Sequence, residues 1–357
     1  MRKIDYQLQS KQVIDIEIVE MLTKLHEFKG EQNMFLNIKA DTLTSLLEIA
    51  KIQSAEASNK IEGIYTTNER LKQLVLDKTM PKTRGEEEIA GYRDVLKTIH
   101  ENYEYIPLKT SYILQLHRDL YKYGSKNFAG KFKTMDNVIT EETASGEKRV
   151  RFVPLESWET PSAIEELCLK YMDAIELYET DALLTIPMAI LDFTCIHPFN
   201  DGNGRMSRLL TLLLLYRAGY HVGKYISIEK KIEQTKEDYY NALQESSIGW
   251  LDGKNDYKPF VKYMLSILLA CYREFNERVN IWNNKTLSKS EQIAEIIKNT
   301  RGAITKTEIK EQCSGIAEIT VQRALADLVE KGNIKKIGGG RYTKYVWNSD
   351  REQGENK

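Results

Sequence analysis

The sequence predicts a mainly α fold, with a β-hairpin protruding from a helical body and a smaller helix-and-hairpin domain at the C-terminal end. Three observations carry this. Apolar residues recur at helical spacing from about residue 10 to 283, as in Leu43, Leu46, Leu47 and Ala50, or Leu114, Leu116, Leu120 and Tyr121. One segment, Asn137 to Pro154, breaks that spacing and places β-branched residues on either side of a Ser145-Gly146 turn, which reads as a hairpin flap. From residue 285 the composition shifts, and all seven prolines lie at or before Pro259.

The elements divide the chain as follows. Residues 1–100 form an N-terminal helical region, residues 101–283 a helical core carrying the flap, residues 284–348 a separate domain, and residues 349–357 a polar, frayed tail. In the third of these a helical run (Ser288 to Asn299) is followed by a short helix after Thr305, a longer one over Glu318 to Lys331, and two strand-like runs around a Gly338-Gly339-Gly340 turn. Three helices and a Gly-turned hairpin make a winged helix-turn-helix pattern. Over Lys285 to Trp347 twelve Lys/Arg face seven Asp/Glu, a local charge of +5 that leaves -6 for the rest.

Composition narrows the function classes. With 357 residues, 51 Lys plus Arg against 52 Asp plus Glu, and 41% hydrophobic residues, the chain has length for two or three domains, and any grip on nucleic acid must be local. The four cysteines are scattered without a CxxC pair, so neither a disulfide framework nor a structural metal is expected, and a reducing cytoplasm is. The apolar run at 209–216 is too short to span a bilayer, so no membrane association is expected.

The stretch His197 to Arg208, HPFNDGNGRMSR, lies between two apolar helical runs, 183–196 and 206–216. Two glycines and an Asn-Asp pair there make a tight loop opening into a helix N-terminus. Such a terminus offers free N–H groups, Gly202 and Gly204 allow close backbone approach, and Arg205 and Arg208 bring guanidinium forks, which together describe a polyphosphate cradle. Asp201 supplies a hard oxygen of the kind Mg²⁺ accepts alongside water and phosphate. His197 stands at the rim, where a neutral imidazole can take a proton from a hydroxyl. His26, His100, His117 and His221 have no such company and read as surface or satisfied core residues.

These residues meet every fixed position of the HPFx(D/E)GNGRxxR signature, and the chain resembles the Fic family over roughly residues 35–280. The resemblance implies transfer of AMP from ATP to a Tyr, Thr or Ser hydroxyl of a target protein, and of the enzyme itself, with release of pyrophosphate. It assigns His197 as base, Asp201 as the Mg²⁺ ligand, Gly202, Asn203 and Gly204 to the α- and β-phosphates, Arg205 and Arg208 as polyphosphate clamps, and Phe199 as the loop's anchor in the core. Upstream, Ser58, Glu62 and Gly63 match the family's (S/T)xxxE(G/N) inhibitory motif, on a helix around 54–63. By that resemblance Glu62 pairs with Arg208 and withholds it from the γ-phosphate, as a carboxylate facing a desolvated guanidinium should. In some relatives the equivalent glutamate also directs water to remove AMP, an activity left open here.

The hairpin matches the family's flap, which holds a target segment as an added strand; Val150, Arg151, Phe152 and Val153 are the expected pairing strand, with Gly130 and Phe132 leading into it. Tyr239 and Tyr240 resemble adenosine-side tyrosines, and a homodimer fits the family. Two alternatives stay open. Relatives transfer UMP, phosphocholine or phosphate, although the complete Gly202-Asn203-Gly204-Arg205 run favours a nucleotide donor. The winged-helix domain could instead make the chain a DNA-binding regulator with a nucleotide-sensing core, using Gln322, Arg323, Lys335, Lys336 and Arg341 on phosphates, against which Glu318, Asp327 and Glu330 count.

Overall fold

The computed structural model describes residues 3–36, 40–142, 148–283, 288–300, 302–313, 316–340 and 343–348. The expected hairpin turn at Ser145-Gly146, the wing residue Arg341 and the tail 349–357 lie outside them. In chain order the helices are α1 (Tyr6–Val13), α2 (Ile16–Leu36), α3 (Ala40–Ile61), α4 (Asn68–Val75), α5 (Arg84–Asn102) and α6 (Thr110–Leu120). The hairpin β1 (Ile139–Glu142) and β2 (Lys148–Phe152) follows, then α7 (Thr160–Met172), α8 (Ala182–Ile196), α9 (Asn203–Arg217), α10 (Ile228–Gln234), α11 (Lys236–Ser247) and α12 (Lys258–Asn283). Last come α13 (Lys289–Asn299), β3 (Ile304–Thr305), α14 (Lys306–Gln312), α15 (Glu318–Glu330), β4 (Ile334–Ile337) and β5 (Lys344–Trp347). Packing divides the chain into two units, residues 1–33 with 50–272 and residues 34–49 with 273–357.

The first unit is built around α8 and α9. Both are buried on nearly every side; α8 and the second half of α9 are accordingly apolar all round rather than along one stripe, while the first half of α9 buries Asn203, Arg205, Ser207 and Arg208. Asp181 starts α8 by accepting from the Leu183 N–H at 2.9 Å. Deep in α8, the fully buried Asp192 carboxylate accepts from the Tyr6 and Tyr257 hydroxyls at 2.8 and 2.9 Å and from the Trp250 indole at 2.6 Å. That carboxylate ties both ends of the unit to its central helix. Among the described residues no helix is long and apolar enough to cross a membrane.

The C-terminal turns of α3 are pinned to α10 and α11. Ser54 Oγ donates to Glu229 Oε2 at 2.8 Å, Lys60 pairs with Glu233 at 3.0 Å, and Lys236 Nζ donates to the Ile61 carbonyl at 2.9 Å. The last contact satisfies one of the carbonyls that any helix end leaves without an intrahelical partner. The helix stops at Ile61, and Gly63 takes a positive φ of 78°, so Glu62 sits one residue past the helix rather than on its face as the spacing predicts.

Strands β1 and β2 pair antiparallel, Ile139 with Phe152 and Thr140 with Val150. The expected strand Val150–Val153 ends one residue early: Pro154 follows Val153, and a residue without an N–H cannot extend the ladder.

In the second unit β5 lies between β3 and β4, all antiparallel. Ile293, Ile297, Ile309, Val321, Leu325 and Ile334 are among the residues closing a core between that sheet and α13, α14 and α15. Capping boxes at Ser288/Glu291 and Thr305/Glu308 start α13 and α14.

Candidate active site

The loop between α8 and α9 is shaped by its own side chains. Helix α8 ends where His197 adopts a left-handed backbone, φ 50° and ψ 62°, a conformation that costs a non-glycine residue roughly 1 kcal/mol or more. Asn203 closes the loop by accepting from the Phe199 N–H at 2.9 Å and donating to the Phe199 carbonyl at 2.8 Å. Gly202, at φ 82°, begins α9, and a Cβ there would meet the Tyr121 hydroxyl at 2.8 Å. Glycine is therefore required twice over.

Beneath the loop, Phe199 is fully buried and lies parallel to the His117 ring, centroids 3.7 Å apart. His117 accepts from the Gly130 N–H at 3.0 Å through Nδ1, so Nε2 carries the proton and donates to the Asp201 carbonyl at 3.0 Å. Burial holds its pKa down to about 4, which keeps it neutral. A lone histidine whose loop partner lies 84 positions away gives no sequence signal, and this one supports the loop between α8 and α9.

The first intrahelical bond of α9 runs from the Met206 N–H to the Gly202 carbonyl at 2.9 Å, so the N–H groups of Asn203, Gly204 and Arg205 form the open positive end of the helix dipole. A half-open cleft of about 180 Å³ meets this end, with Asn203, Gly204, Ser207, Arg208 and His197 in its wall. Burial, and then the nearby Lys133 ammonium, hold the His197 pKa down to about 4, outweighing a bond to the Thr194 carbonyl and the charges of Glu62 and Asp201. The imidazole is thus neutral at physiological pH and fit to accept a proton.

Arg208 is 3% exposed and spoken for on three bonds: Nε donates to Ser58 Oγ at 2.8 Å, and Nη2 to the Ser58 carbonyl at 2.9 Å and to Glu62 Oε1 at 2.7 Å. Burial opposes its charge, but Glu62 and the Tyr239 and Tyr92 hydroxyls prevail and raise its pKa. Glu62 also covers the helix end itself, since a Cβ on Gly204 would lie 2.2 Å from Glu62 Oε1. The three residues singled out from two distant motifs therefore meet in one contact.

Arg205 is placed otherwise than expected of a polyphosphate clamp. It is 1% exposed, forms an ion pair with Glu88 at 2.7 Å, donates to the Tyr121 hydroxyl at 2.8 Å, stacks its guanidinium over the Tyr121 ring, and does not line the cleft. Periodicity gives spacing along a helix, not which of two cations faces inward. From that position Arg205 lies 3.6 Å from Asp201 Oδ1, which also accepts the Gly202 N–H at 2.6 Å. Asp201 remains 44% exposed. Among the described residues no group of three or more His, Cys, Asp or Glu side chains could cage a metal, so this donor set fits only an ion shared with water and phosphate, as Mg²⁺ is.

The flap reaches the cleft through Ile139, Arg151 and Phe152, whereas Val150 and Val153 are exposed. The Arg151 guanidinium lies over the Tyr240 ring, 4.7 Å from its centroid, and donates to the Tyr240 carbonyl. Tyr239 and Tyr240 both line the cleft, their rings edge to face at 5.4 Å. A second residue unmarked by sequence, Lys133, is buried where the flap joins the end of α8.

A model of the Fic/DOC family matches residues 107–215. The chain is similar to the protein adenylyltransferase Fic of Nematostella vectensis, 26% identical over 257 residues, which is 69% of this chain and 53% of that protein. It thus spans about half the length of that curated relative. In fold it is similar to a Fic family protein from Desulfovibrio desulfuricans, with a TM-score of 0.59 at 20% identity, covering 94% of this chain and 97% of the other. A Fic domain containing signaling protein from Bacteroides thetaiotaomicron is superimposed with a TM-score of 0.60 at 23% identity, covering 74% and 98%.

Proposed function

We propose that this chain acts as the Fic family proteins it is similar to, transferring AMP from ATP to a side-chain hydroxyl of a protein, itself included. The observation that carries the reading is the neutral His197 imidazole standing beside the open end of α9, a base and an anion cradle in one wall. In the proposed step the target oxygen bonds to the α-phosphorus as the bond from that phosphorus to the β-bridging oxygen breaks. Pyrophosphate leaves, and the hydroxyl proton passes to the His197 nitrogen not engaged by Thr194. The N–H groups of Asn203 and Gly204 take the phosphate charge, and Arg208, once released, takes the γ-phosphate. Asp201, oriented by Arg205 and the Gly202 N–H, would hold Mg²⁺, which offsets charge on the departing pyrophosphate. Arg205 acts through Asp201 rather than on phosphate.

In the form described, Glu62 holds Arg208 and covers Gly204, so we read the contact as autoinhibition. The donor test is label position. ATP labelled at the α-phosphate should mark the Glu62→Gly protein and ATP labelled at the γ-phosphate should not. Marking by the γ-label would identify phosphate transfer and overturn the reading.

We read the second unit as a winged helix that docks a protein partner rather than reading DNA. Glu318, in the first turn of α15, pairs with Lys306 at 3.0 Å and Lys310 at 3.3 Å, so the cations nearest that helix end are already neutralised. Salt-dependent retention of the full chain on duplex DNA would reverse this.

A further inference from the structure

Lys133 is 2% exposed, and each of its three ammonium donors has an acceptor. Nζ donates to Asn137 Oδ1 at 3.0 Å, to the Leu155 carbonyl at 2.6 Å and to the Ile196 carbonyl at 3.1 Å. Its backbone N–H donates to the Pro198 carbonyl at 2.9 Å. These acceptors belong to three separate segments: the chain entering the flap, the chain leaving it, and the end of α8 on either side of His197. Asn137 extends the tie by donating to the Phe199 carbonyl at 3.3 Å. The neighbouring Asp136 carboxylate accepts the Ser157 N–H at 2.7 Å, and the hydrogen bonds of the Lys133 ammonium go to oriented carbonyl and amide oxygens, which are directional.

We propose that Lys133 is a positioning residue for the transfer: it bolts both legs of the flap to the backbone that carries His197, so that a hydroxyl presented by the flap and the base that deprotonates it arrive as one rigid piece. The inference rests on the transferase reading. An unanchored flap would still bind nucleotide, because no phosphate-facing group touches Lys133; only the alignment of hydroxyl, phosphorus and imidazole would suffer, and misplacement by about 1 Å can cost on the order of 10²-fold in rate. Lys133 also lies close enough to His197 to disfavour the imidazolium, alongside the opposing charges of Glu62 and Asp201 and the Thr194 carbonyl.

The test compares Glu62→Gly, Glu62→Gly with Lys133→Met, and Glu62→Gly with Lys133→Arg, measuring self-modification rate, MgATP affinity by calorimetry, and amide exchange in the flap strands. Methionine should lower kcat about 10²-fold with MgATP affinity within about two-fold of the parent, and should speed exchange in β1 and β2 but not in α9. Arginine, which keeps charge and several donors, should recover the rate to within about ten-fold of the parent. The acid limb of the rate profile should move toward the ordinary imidazole range with methionine and stay with arginine. An unchanged kcat in the methionine variant, or parallel losses of kcat, nucleotide affinity and melting temperature in both variants, would overturn the proposal. A parent that transfers nothing counts against the transferase reading, and the exchange measurement still decides whether Lys133 tethers the flap.

Discussion

Replacing Glu62 by glycine is the perturbation whose size the structure sets most directly. The Glu62–Arg208 contact is 2.7 Å, with the arginine side chain 3% and the glutamate side chain 32% exposed. Two unit charges about 4 Å apart at an effective dielectric near 20 attract by about 4 kcal/mol. The glutamate's partial exposure discounts this to roughly 2–4 kcal/mol, within the range expected on removing one partner of a largely buried pair. Returned to the competition between Glu62 and a γ-phosphate for one guanidinium, that is about 30- to 1,000-fold in occupancy of the productive pose. Self-modification by the Glu62→Gly protein, followed as AMP incorporated per minute under saturating MgATP, should therefore exceed the wild-type rate by about 10²-fold. Glu62→Gln separates the two parts of the restraint, since it removes the charge but still fills the space above Gly204; its rate should fall between the two. Equal rates in wild type and Glu62→Gly would refute competition for Arg208.

Three further outcomes follow from the same geometry. His117→Ala removes the ring stacked on Phe199 and leaves the Gly130 N–H and the Asp201 carbonyl without their partner, so urea unfolding should show a loss of about 2–4 kcal/mol; a change below about 0.5 kcal/mol would contradict its supporting role. Glu88→Gln removes the buried counter-charge of Arg205, leaving only the part-exposed Asp201 at 3.6 Å, and should cost about 3 kcal/mol of stability while weakening Mg²⁺-dependent nucleotide binding through Asp201; unaltered Mg²⁺ dependence would detach Arg205 from that role. Burial holds the pKa of His100 down to about 3 and those of His117 and His197 to about 4, below the unfolded value of 6.5. The unfolded chain therefore binds more protons as pH falls from 6.5 toward 4, and each histidine should remove about 1.4 kcal/mol of stability per pH unit across that window. Guanidinium midpoints at pH 7 and pH 5 measure this, and equal midpoints would contradict the burial of these rings as neutral species.

What could be read from the sequence was local. The order His197 to Arg208 encodes a helix stop, a Gly-closed loop and a new helix start within a dozen residues, so its chemistry lies in its spacing. Ser58 and Glu62 were legible as a pair for the same reason, although Glu62 turned out to occupy the first position beyond α3 because Gly63 ends that helix. The supporting shell was not legible. His117, Lys133, Tyr121 and Glu88 come from α5, α6 and the chain after it, and the residues of the α8–α9 region that they hold lie 63 or more positions away, so no periodicity or motif marks them. The inward turn of Arg205 is of that kind: Glu88 and Tyr121 decide it, and neither is its neighbour in sequence.

The most direct test of the account is intact-mass spectrometry of wild type, Glu62→Gly, and Glu62→Gly with His197→Ala, each incubated with ATP and MgCl₂. An added AMP mass is expected in Glu62→Gly and should be lost when His197 is also replaced, because the missing group moves a proton and does not hold phosphate. An AMP adduct that persists undiminished without His197, or no adduct in any of the three, would contradict it.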